Sequence, residues 1–576
     1  MSFLKFSTKS SVIKPALMKL APQVKQAVFL SFFINFLALA PTWYMLEVYD
    51  RVLNSKNYTT LMMLSVMIVF IILIMEGLEF FRSKILHNAS ISFKEQLNKR
   101  VFLNIFQAKL NQNVDGNIQS FSDMKSIEGL ISSPTLIALI DVPFALITLS
   151  LVFLTNAMMG WFTLFGAILM IFIAYLNHLR MHPHITKANK SLMQVQNHVI
   201  GAIRSSQIIE CLGMLPFIQQ KWLENQKKYI SLQALASDEA ALGSVLTKLL
   251  QTFQGSFLLG LGCWLTLSGI MPAGGSMMIV GSILGGRVLL PFVRLTTNWR
   301  QLETVQDAIY RLDTFLSAFP ETVERMKLPA PTGDLSVENA FASPPNSQSY
   351  ILRNVSFKLP AATSLGIVGP SASGKTTLAK LITGVWPASS GKVRLDGADV
   401  HLWNKTELGP YIGYLPQDID LFEGTIAENI ARFGSVDMQE VKKAANVVGL
   451  ANLIESLDQG YDTQVGDEGT FLSGGQRQRI GLARAVYRSP KFIVLDEPNS
   501  SLDAAGDFAL MNMLKAMQAD GTTLVVITHK PQILKVLDNI LVLSDGQIKA
   551  YGATSEILKQ TDPKDQNTKN EIVNKA

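Results

Sequence analysis

The chain has 576 residues, of which 48% are hydrophobic and 17% charged, and its 51 basic against 45 acidic residues leave a net charge of +6. So apolar a composition excludes a disordered chain and fits poorly with a wholly soluble enzyme, where charged residues approach ~25%. The two cysteines, Cys211 and Cys263, exclude a disulfide scaffold and a Cys-rich metal centre, and +6 is too slight to argue for nucleic acid.

The apolar residues crowd into the first 310 positions. Hydrocarbon about 30 Å thick needs roughly 20 apolar residues of helix, and six stretches qualify: Ala27–Leu46, Thr60–Leu78, Thr135–Thr155, Gly160–Leu176, Leu249–Gly269 and Met277–Val293. The fourth is short, and the sixth is glycine-rich and carries Arg287. Ahead of the first span lie Lys5, Lys9, Lys14, Lys19 and Lys25 with no acid. Arg82, Lys84, Lys94, Lys99, Arg100 and Lys109 follow the second, and Arg180, Lys187, Lys190, Arg204, Lys221, Lys227 and Lys228 follow the fourth. The alternate loops are nearly bare, with Arg51 and Lys56 after the first span. Positive loops stay in the cytoplasm, so both termini are expected there. Ala38-Leu39-Ala40 mimics a leader-cleavage site, yet the long basic region before it and Pro41 after it favour a retained anchor.

Two long cytoplasmic loops, Phe81–Pro134 and Asn177–Leu246, repeat apolar residues at three- and four-residue spacing over Ile91–Leu110 and Leu192–Tyr229. That period predicts helices extending the spans, with breaks near Asn111–Gly116 and Leu212–Pro216 that could touch a soluble domain. Within the spans, Asp141 and Arg287 are costly charges. They either line a pore or are neutralised by an internal ion pair or by snorkelling. Glycines of the sixth span, Gly281, Gly285 and Gly286 among them, would allow close helix approach or a kink. The expected organisation is a cytoplasmic segment 1–26, a membrane domain 27–318, a Pro- and Gly-bearing linker 319–334, a soluble α/β domain 335–560 and a polar, disordered tail 561–576.

The soluble part carries the chemistry. A short apolar strand, Ser364–Val368, runs into Gly369, Pro370, Ser371, Ala372, Ser373, Gly374, Lys375, Thr376 and Thr377, and an apolar helical pattern follows. This is G-x-x-x-x-G-K-[ST] in its strand–loop–helix context. Its backbone N–H groups and helix N-terminus would wrap phosphate oxygens, Lys375 would reach the β- and γ-phosphates, and the Thr376 hydroxyl would bind Mg²⁺. A second apolar strand, Phe492–Leu495, ends in Asp496 and Glu497. Asp496 fits the magnesium-side carboxylate and Glu497 a base that polarises water. Between them, Leu472, Ser473, Gly474, Gly475 and Gln476 open another helix whose start can bind an anion. One nucleotide does not obviously need two such starts in one domain. A dimer in which each chain lends its second loop to the other's nucleotide would explain them.

These residues resemble an ATP-binding cassette (ABC) exporter: Walker A at Gly369–Thr376, an LSGGQ signature at Leu472–Gln476 and Walker B at Phe492–Asp496. Gln417 resembles the Q-loop, Ser501, Leu502 and Asp503 the D-loop, and His529 the switch histidine. The resemblance implies a six-helix all-α transmembrane domain followed by an α/β P-loop nucleotide-binding domain. It implies ATP and Mg²⁺ as cofactors, with Thr376, Gln417 and Asp496 around the metal, Glu497 as general base and His529 on the γ-phosphate. The signature would act on the other subunit's ATP, and one cassette with six spans makes half a transporter, so a homodimer is expected. Exporters stack adenine on an aromatic residue before Walker A. Phe341 lies early for that and Tyr350 late, with Tyr350 the preferred candidate.

Five phrases resemble a narrower group, the type I secretion ATPases of Gram-negative bacteria. They are Ile140-Asp141-Val142-Pro143-Phe144, Ser282–Arg287, Gly413–Asp418, Leu421–Ile430 and Asp496-Glu497-Pro498-Asn499-Ser500. Such proteins sit in the bacterial inner membrane and export proteases, haem-binding proteins and calcium-repeat proteins. They work with a periplasmic adaptor and an outer-membrane channel on substrates that bear an uncleaved C-terminal signal and cross unfolded. The short stretch before the first span leaves no room for the peptidase domain of related exporters, so signal cleavage is not expected. The alternative is an exporter of lipid or small hydrophobic molecules.

Overall fold

The computed structural model describes residues 11–110, 119–270, 274–319, 327–344, 347, 349–466, 469 and 471–560. The break expected near Asn111–Gly116 and the tail 561–576 lie outside them. The chain divides into two compact units, one helical and one α/β.

The helical unit runs α1 (Ile13–Lys19), α2 (Ala21–Leu37), α3 (Ala40–Glu47), a π-helical turn at Val48–Val52, α4 (Leu53–Ser55), α5 (Tyr58–Leu110), α6 (Gln119–Ile131), α7 (Pro134–Thr155), α8 (Ala157–Arg204), α9 (Ser206–Cys211), α10 (Leu215–Leu267), α11 (Gly274–Thr297) and α12 (Trp299–Ala318). Both α5 and α10 have 53 residues, about 80 Å at 1.5 Å per residue. Such helices overrun the hydrocarbon by more than half their length, as the periodicity of the long loops predicts. The break expected near Leu212–Pro216 is present: Gly213 takes a left-handed φ of 62°, and Pro216 opens α10.

Five helical stretches among the described residues are long and apolar enough to cross a membrane: Ala21–Ser55, Tyr58–Leu110, Pro134–Thr155, Ala157–Ile203 and Ser276–Thr297. They contain five of the six predicted spans. The remaining one, Leu249–Gly269, closes α10 and is diluted by Gln251 and Gln254. Its polarity has a local reason, because α10 packs along α8 and α11. Gln254 is buried against Gly166, where an added Cβ would collide with its side chain. The first span is not one continuous helix. It turns at Ala38–Leu39, and Pro41 sits in the first turn of α3, where a missing N–H costs nothing.

Asp141 is held by an internal ion pair. Its carboxylate accepts from Arg82 (3.2 Å) and Asn35 (3.0 Å), while Arg82 also donates to Ser31 (2.9 Å) and Glu79 (3.3 Å). Arg82, expected in a loop, is 1% exposed and ties α2, α5 and α7 together. Beyond the spans, α1, α5, α6 and α12 share an apolar cluster around Phe93, Ile127 and Leu312. Buried Asp313 of α12 caps α1 from outside, accepting from Val12 N (2.9 Å), Ser11 Oγ (3.0 Å) and Ile13 N (3.2 Å).

The α/β unit has two sheets. An antiparallel one, in the order β2-β1-β4-β5, comprises β1 (Leu335–Ala342), β2 (Leu352–Leu359), β4 (Ser390–Leu395) and β5 (Ala398–Asp399). The other, in the order β10-β9-β3-β8-β7-β6, contains β3 (Ser364–Val368), β6 (Ile412–Leu415), β7 (Phe492–Asp496), β8 (Thr523–Ile527), β9 (Asn539–Ser544) and β10 (Gln547–Ala553). From β9 to β6 its pairings are parallel. Strands β7 and β8 are buried at every residue, as parallel strands covered on both faces must be. The helices are α13 (Lys375–Ile382), α14 (Lys405–Leu408), α15 (Ile426–Ile430), α16 (Met438–Val447), α17 (Ala451–Glu455), α18 (Gly474–Val486) and α19 (Ala504–Ala519), with two short ones after β8 and β10.

One arginine clamps the helices to this sheet. Arg432 donates to four carbonyls, those of Gly409 (2.7 Å), Ile412 (3.0 Å), Arg484 (3.0 Å) and Ala485 (3.2 Å). Burial, with Arg484 nearby, lowers its pKa to about 10. Arg432→Ala strands four carbonyl acceptors at once. It is expected to cost about 3–5 kcal/mol in chemical denaturation followed by tryptophan fluorescence. Lysine, lacking the planar fork, should recover less than half of that.

Candidate nucleotide site

Parallel pairing alone brings the chemistry together. Asp496 at the end of β7 lies opposite Ile527 at the end of β8, and Ile527 lies opposite Ile367 of β3. Leu415 of β6 pairs with Leu495. The loop after β3 (Gly369–Gly374), Asp496-Glu497, Thr528-His529 and Pro416-Gln417 therefore all leave from the same carboxyl edge, where open α/β sheets bind ligands.

The phosphate loop is built by backbone constraint. Gly374, before α13, has a φ of 100°, and a Cβ there would meet Leu352 Cδ2 at 2.6 Å. At Gly369 a Cβ would lie 2.0 Å from the Leu543 carbonyl. No other residue fits either place. Lys375 is buried, and its Nζ donates to the carbonyls of Gly369 (2.8 Å) and Pro370 (2.9 Å). Ser373 Oγ is buried with no hydrogen-bond partner among the described residues. A cradle with a spare hydroxyl, a cation and the N-terminus of α13 suits a phosphate chain.

Asp496 is 1% exposed, and its Oδ2 also lacks a partner among the described residues. Burial pushes its carboxyl above the usual range and Glu497 adds to this, while the nearby Thr376 hydroxyl and the charges of Lys375 and Lys380 oppose. An orphaned carboxylate oxygen beside a threonine hydroxyl is the donor set Mg²⁺ prefers, so the residues present fit the metal. Gln417 is exposed two residues beyond β6, on the same edge.

Glu497 has a φ of 50°. That is a strained left-handed conformation for a residue other than glycine, and a hydrogen bond from its own N–H to the Ile527 carbonyl (3.0 Å) holds it. Its carboxylate faces His529 Nε2 at 3.7 Å, with both side chains partly open to solvent. A carboxylate and an imidazole at one strand edge can share the handling of water and phosphate.

Ser473 and Gln476 form a reciprocal cap at the start of α18. Gln476 N donates to Ser473 Oγ (3.3 Å), and Ser473 N donates to Gln476 Oε1 (2.8 Å). The N–H groups of Gly474 and Gly475 stay free to face an anion. Leu472 packs against the helical core. Among the described residues no hydrogen bond joins Leu472–Gln476 to Gly369–Thr377. The structure thus gathers Walker A, Walker B, Gln417 and His529 at one edge and places the signature at a separate, capped helix start. Asp503 caps α19 through Gly506 N (2.8 Å) and pairs with Arg479 (2.7 Å). Ser501 and Leu502 lead into that cap.

Tyr350 and Phe341 turn out to be neighbours, ring centroids 5.4 Å apart, edge to face. The bond from Ile351 N to the Ala342 carbonyl closes the loop that brings them together. Ile351 and Leu352 form the wall beside Gly374, which puts exposed Tyr350 next to the phosphate loop.

One buried residue escaped the sequence reading. Gln478 Nε2 donates to the Glu497 carbonyl (3.2 Å) and to Ser500 Oγ (3.3 Å), and its Oε1 accepts from Ser501 N (2.7 Å). It couples the signature helix to the Walker B exit and the D-loop. Its sole signal was a polar residue on the buried face of α18, in register with Gly481 and Leu482. Asn499 is a second such link, accepting from Thr528 Oγ1 (2.8 Å) next to His529.

Comparison with known proteins agrees with this geometry. The ABC transporter family matches residues 352–500, and the ABC transporter transmembrane region matches residues 26–286. The type I secretion system ATP-binding protein PrsD of Rhizobium meliloti (strain 1021) is 34% identical over 529 residues, 92% of this chain and 90% of that protein. The leukotoxin translocation ATP-binding protein LktB of Mannheimia haemolytica is 28% identical over 560 residues, 95% and 78% of the two. A solved bacterial Atm1-family ABC exporter with ATP bound superposes with a TM-score of 0.81 at 20% identity, covering 96% of this chain and 99% of that one. At that identity the likeness is one of fold.

Proposed function

Because this chain belongs to the ABC exporters related to type I secretion ATP-binding proteins, and is a multi-pass, ATP-hydrolysing transporter, we propose that it exports unfolded proteins bearing an uncleaved C-terminal signal. The observation that carries this is the 34% identity with a type I secretion ATP-binding protein along nine-tenths of both chains. In this reading it sits in a bacterial inner membrane with both termini cytoplasmic, counting the end of α10 as the fifth of six spans. A periplasmic adaptor and an outer-membrane channel complete the route.

Two copies would close around two ATP molecules. Lys375, Ser373 and the N-terminus of α13 hold the phosphates, and the partner's Ser473 reaches them from the other side. Thr376, Asp496 and Gln417 hold Mg²⁺, which neutralises phosphate charge when bound. Glu497 takes a proton from the attacking water, His529 steadies the γ-phosphate, and Tyr350 stacks on adenine. The reciprocal cap on Ser473 and the Gln478 tether support a signature that moves as one piece with Glu497.

The test is the secreted proteome of the source organism carrying chromosomal Lys375→Ala. A few large proteins should vanish from the medium and remain in the cells. An unchanged secretome, with cargo expression verified, would shift the reading to a lipid or small-molecule exporter.

A further inference from the structure

The sixth span has two faces. On one, Gly281 and Gly285 let neighbours in: added Cβ atoms would lie 2.5 Å from Met159 Cε and 2.2 Å from Leu258 Cδ1. Leu284, Val288 and Leu289 are buried on that side, and buried Val280 lies one heptad before Arg287 at the edge of the other. At 100° per residue, Ile283, Gly286, Arg287, Leu290 and Arg294 fall together on the opposite side. That side is more open: a Cβ at Gly286 would meet nothing within 4 Å, Arg287 is half-buried, Leu290 is 39% exposed, and Arg294 is exposed.

Arg287 makes no hydrogen bond or ion pair with any described residue. It is the twelfth of the 22 residues Ser276–Thr297, about 15 Å of helix from either end. In the predicted span Met277–Val293 it lies six residues, about 9 Å, from the nearer end. An arginine at such depth in lipid is costly, so the open face is better matched to an aqueous path than to hydrocarbon. Among the described residues no acid pairs with it. The predicted spans hold two acids: Glu76 near the end of the second, and Asp141. Asp141 is engaged by Arg82 and Asn35, with Arg294 also within its electrostatic reach.

We propose that Arg287 contacts carboxylates of the extended polypeptide in transit and biases the exporter toward acidic cargo segments. This rests on the polypeptide-export reading above and adds a specificity-determining contact to it. Gly286 beside it leaves room for a main chain to approach.

The experiment measures ATP hydrolysis by the full chain in lipid nanodiscs with three unstructured 20-residue peptides. Their Gly/Ser sequences are identical except for Glu, Gln or Lys at alternate positions, and each rate is divided by the same variant's rate without peptide. The Glu peptide should stimulate at lower concentration than the other two. Arg287→Gln should raise its half-stimulating concentration about tenfold, the loss of one charge-assisted contact. Arg287→Lys should stay near the wild type, which separates lost charge from lost folding, and Arg287→Glu should favour the Lys peptide. Equal responses to the Glu and Gln peptides, or an unchanged response in Arg287→Gln, would overturn this proposal and leave protein export standing. No response to any peptide in the wild type would also overturn this proposal, while protein export is tested separately by the secreted proteome of Lys375→Ala.

Discussion

Glu497→Gln should slow ATP turnover by about 10²–10⁴-fold, the usual contribution of a positioned general base, while ATP binding survives. The substitution keeps the size of the side chain and removes its basicity. The strained backbone at Glu497, φ 50°, and its bond to the Ile527 carbonyl do not depend on the carboxylate. The tether from Gln478 reaches the Glu497 carbonyl and is untouched as well. Steady-state phosphate release measures the first effect, and bound unhydrolysed nucleotide after rapid desalting measures the second. Normal turnover would remove Glu497 from its role, leaving His529, 3.7 Å away, as the remaining group able to take the proton.

Lys375→Ala should act earlier, on binding. The ammonium is the one cation inside the phosphate loop, already turned toward the carbonyls of Gly369 and Pro370. Removing a charge-assisted donor to a phosphate in such a site costs about 2–4 kcal/mol, or a 30- to 1000-fold loss of productive affinity. The rest of the loop is set by Gly369 and Gly374 against Leu543 and Leu352, so the fold should hold. Titration with a fluorescent ATP analogue separates this outcome from that of Glu497→Gln, which binds and stalls. Unchanged ATPase would overturn the Walker A assignment.

The phosphate loop was legible in the sequence because its chemistry is carried by spacing: two glycines, a lysine and an apolar strand leave one geometry. Asp496 and Glu497 were legible for the same reason, as acids ending a buried strand. The spans were legible where lipid demands apolar residues, and less so where protein replaces lipid. Leu249–Gly269 tolerates Gln251 and Gln254 because α10 lies between α8 and α11. Arg82 looked like a loop cation, since hydropathy counts a charge without seeing that Asp141, 59 positions on, neutralises it. Pro41 broke the first span because a helix can restart on proline. Phe341 and Tyr350 competed as adenine platforms while their separation along the chain hid that a loop makes them neighbours. Gln478 and Arg432 carried no motif: each works through carbonyl and amide groups of remote segments, which only the fold assembles.

The role given to the signature depends on ATP being shared between two copies of the chain. The direct measurement is cross-linking of two co-expressed, differently tagged chains, both lacking Cys211 and Cys263 and carrying Glu497→Gln. One bears Ser371→Cys in the phosphate loop and the other Ser473→Cys in the signature, both exposed positions. ATP with Mg²⁺ should yield a disulfide-linked pair carrying both tags, while ADP should yield little and neither single-cysteine chain should link to itself. No linked pair with ATP, or the same yield without nucleotide, would contradict a signature that completes the other copy's site.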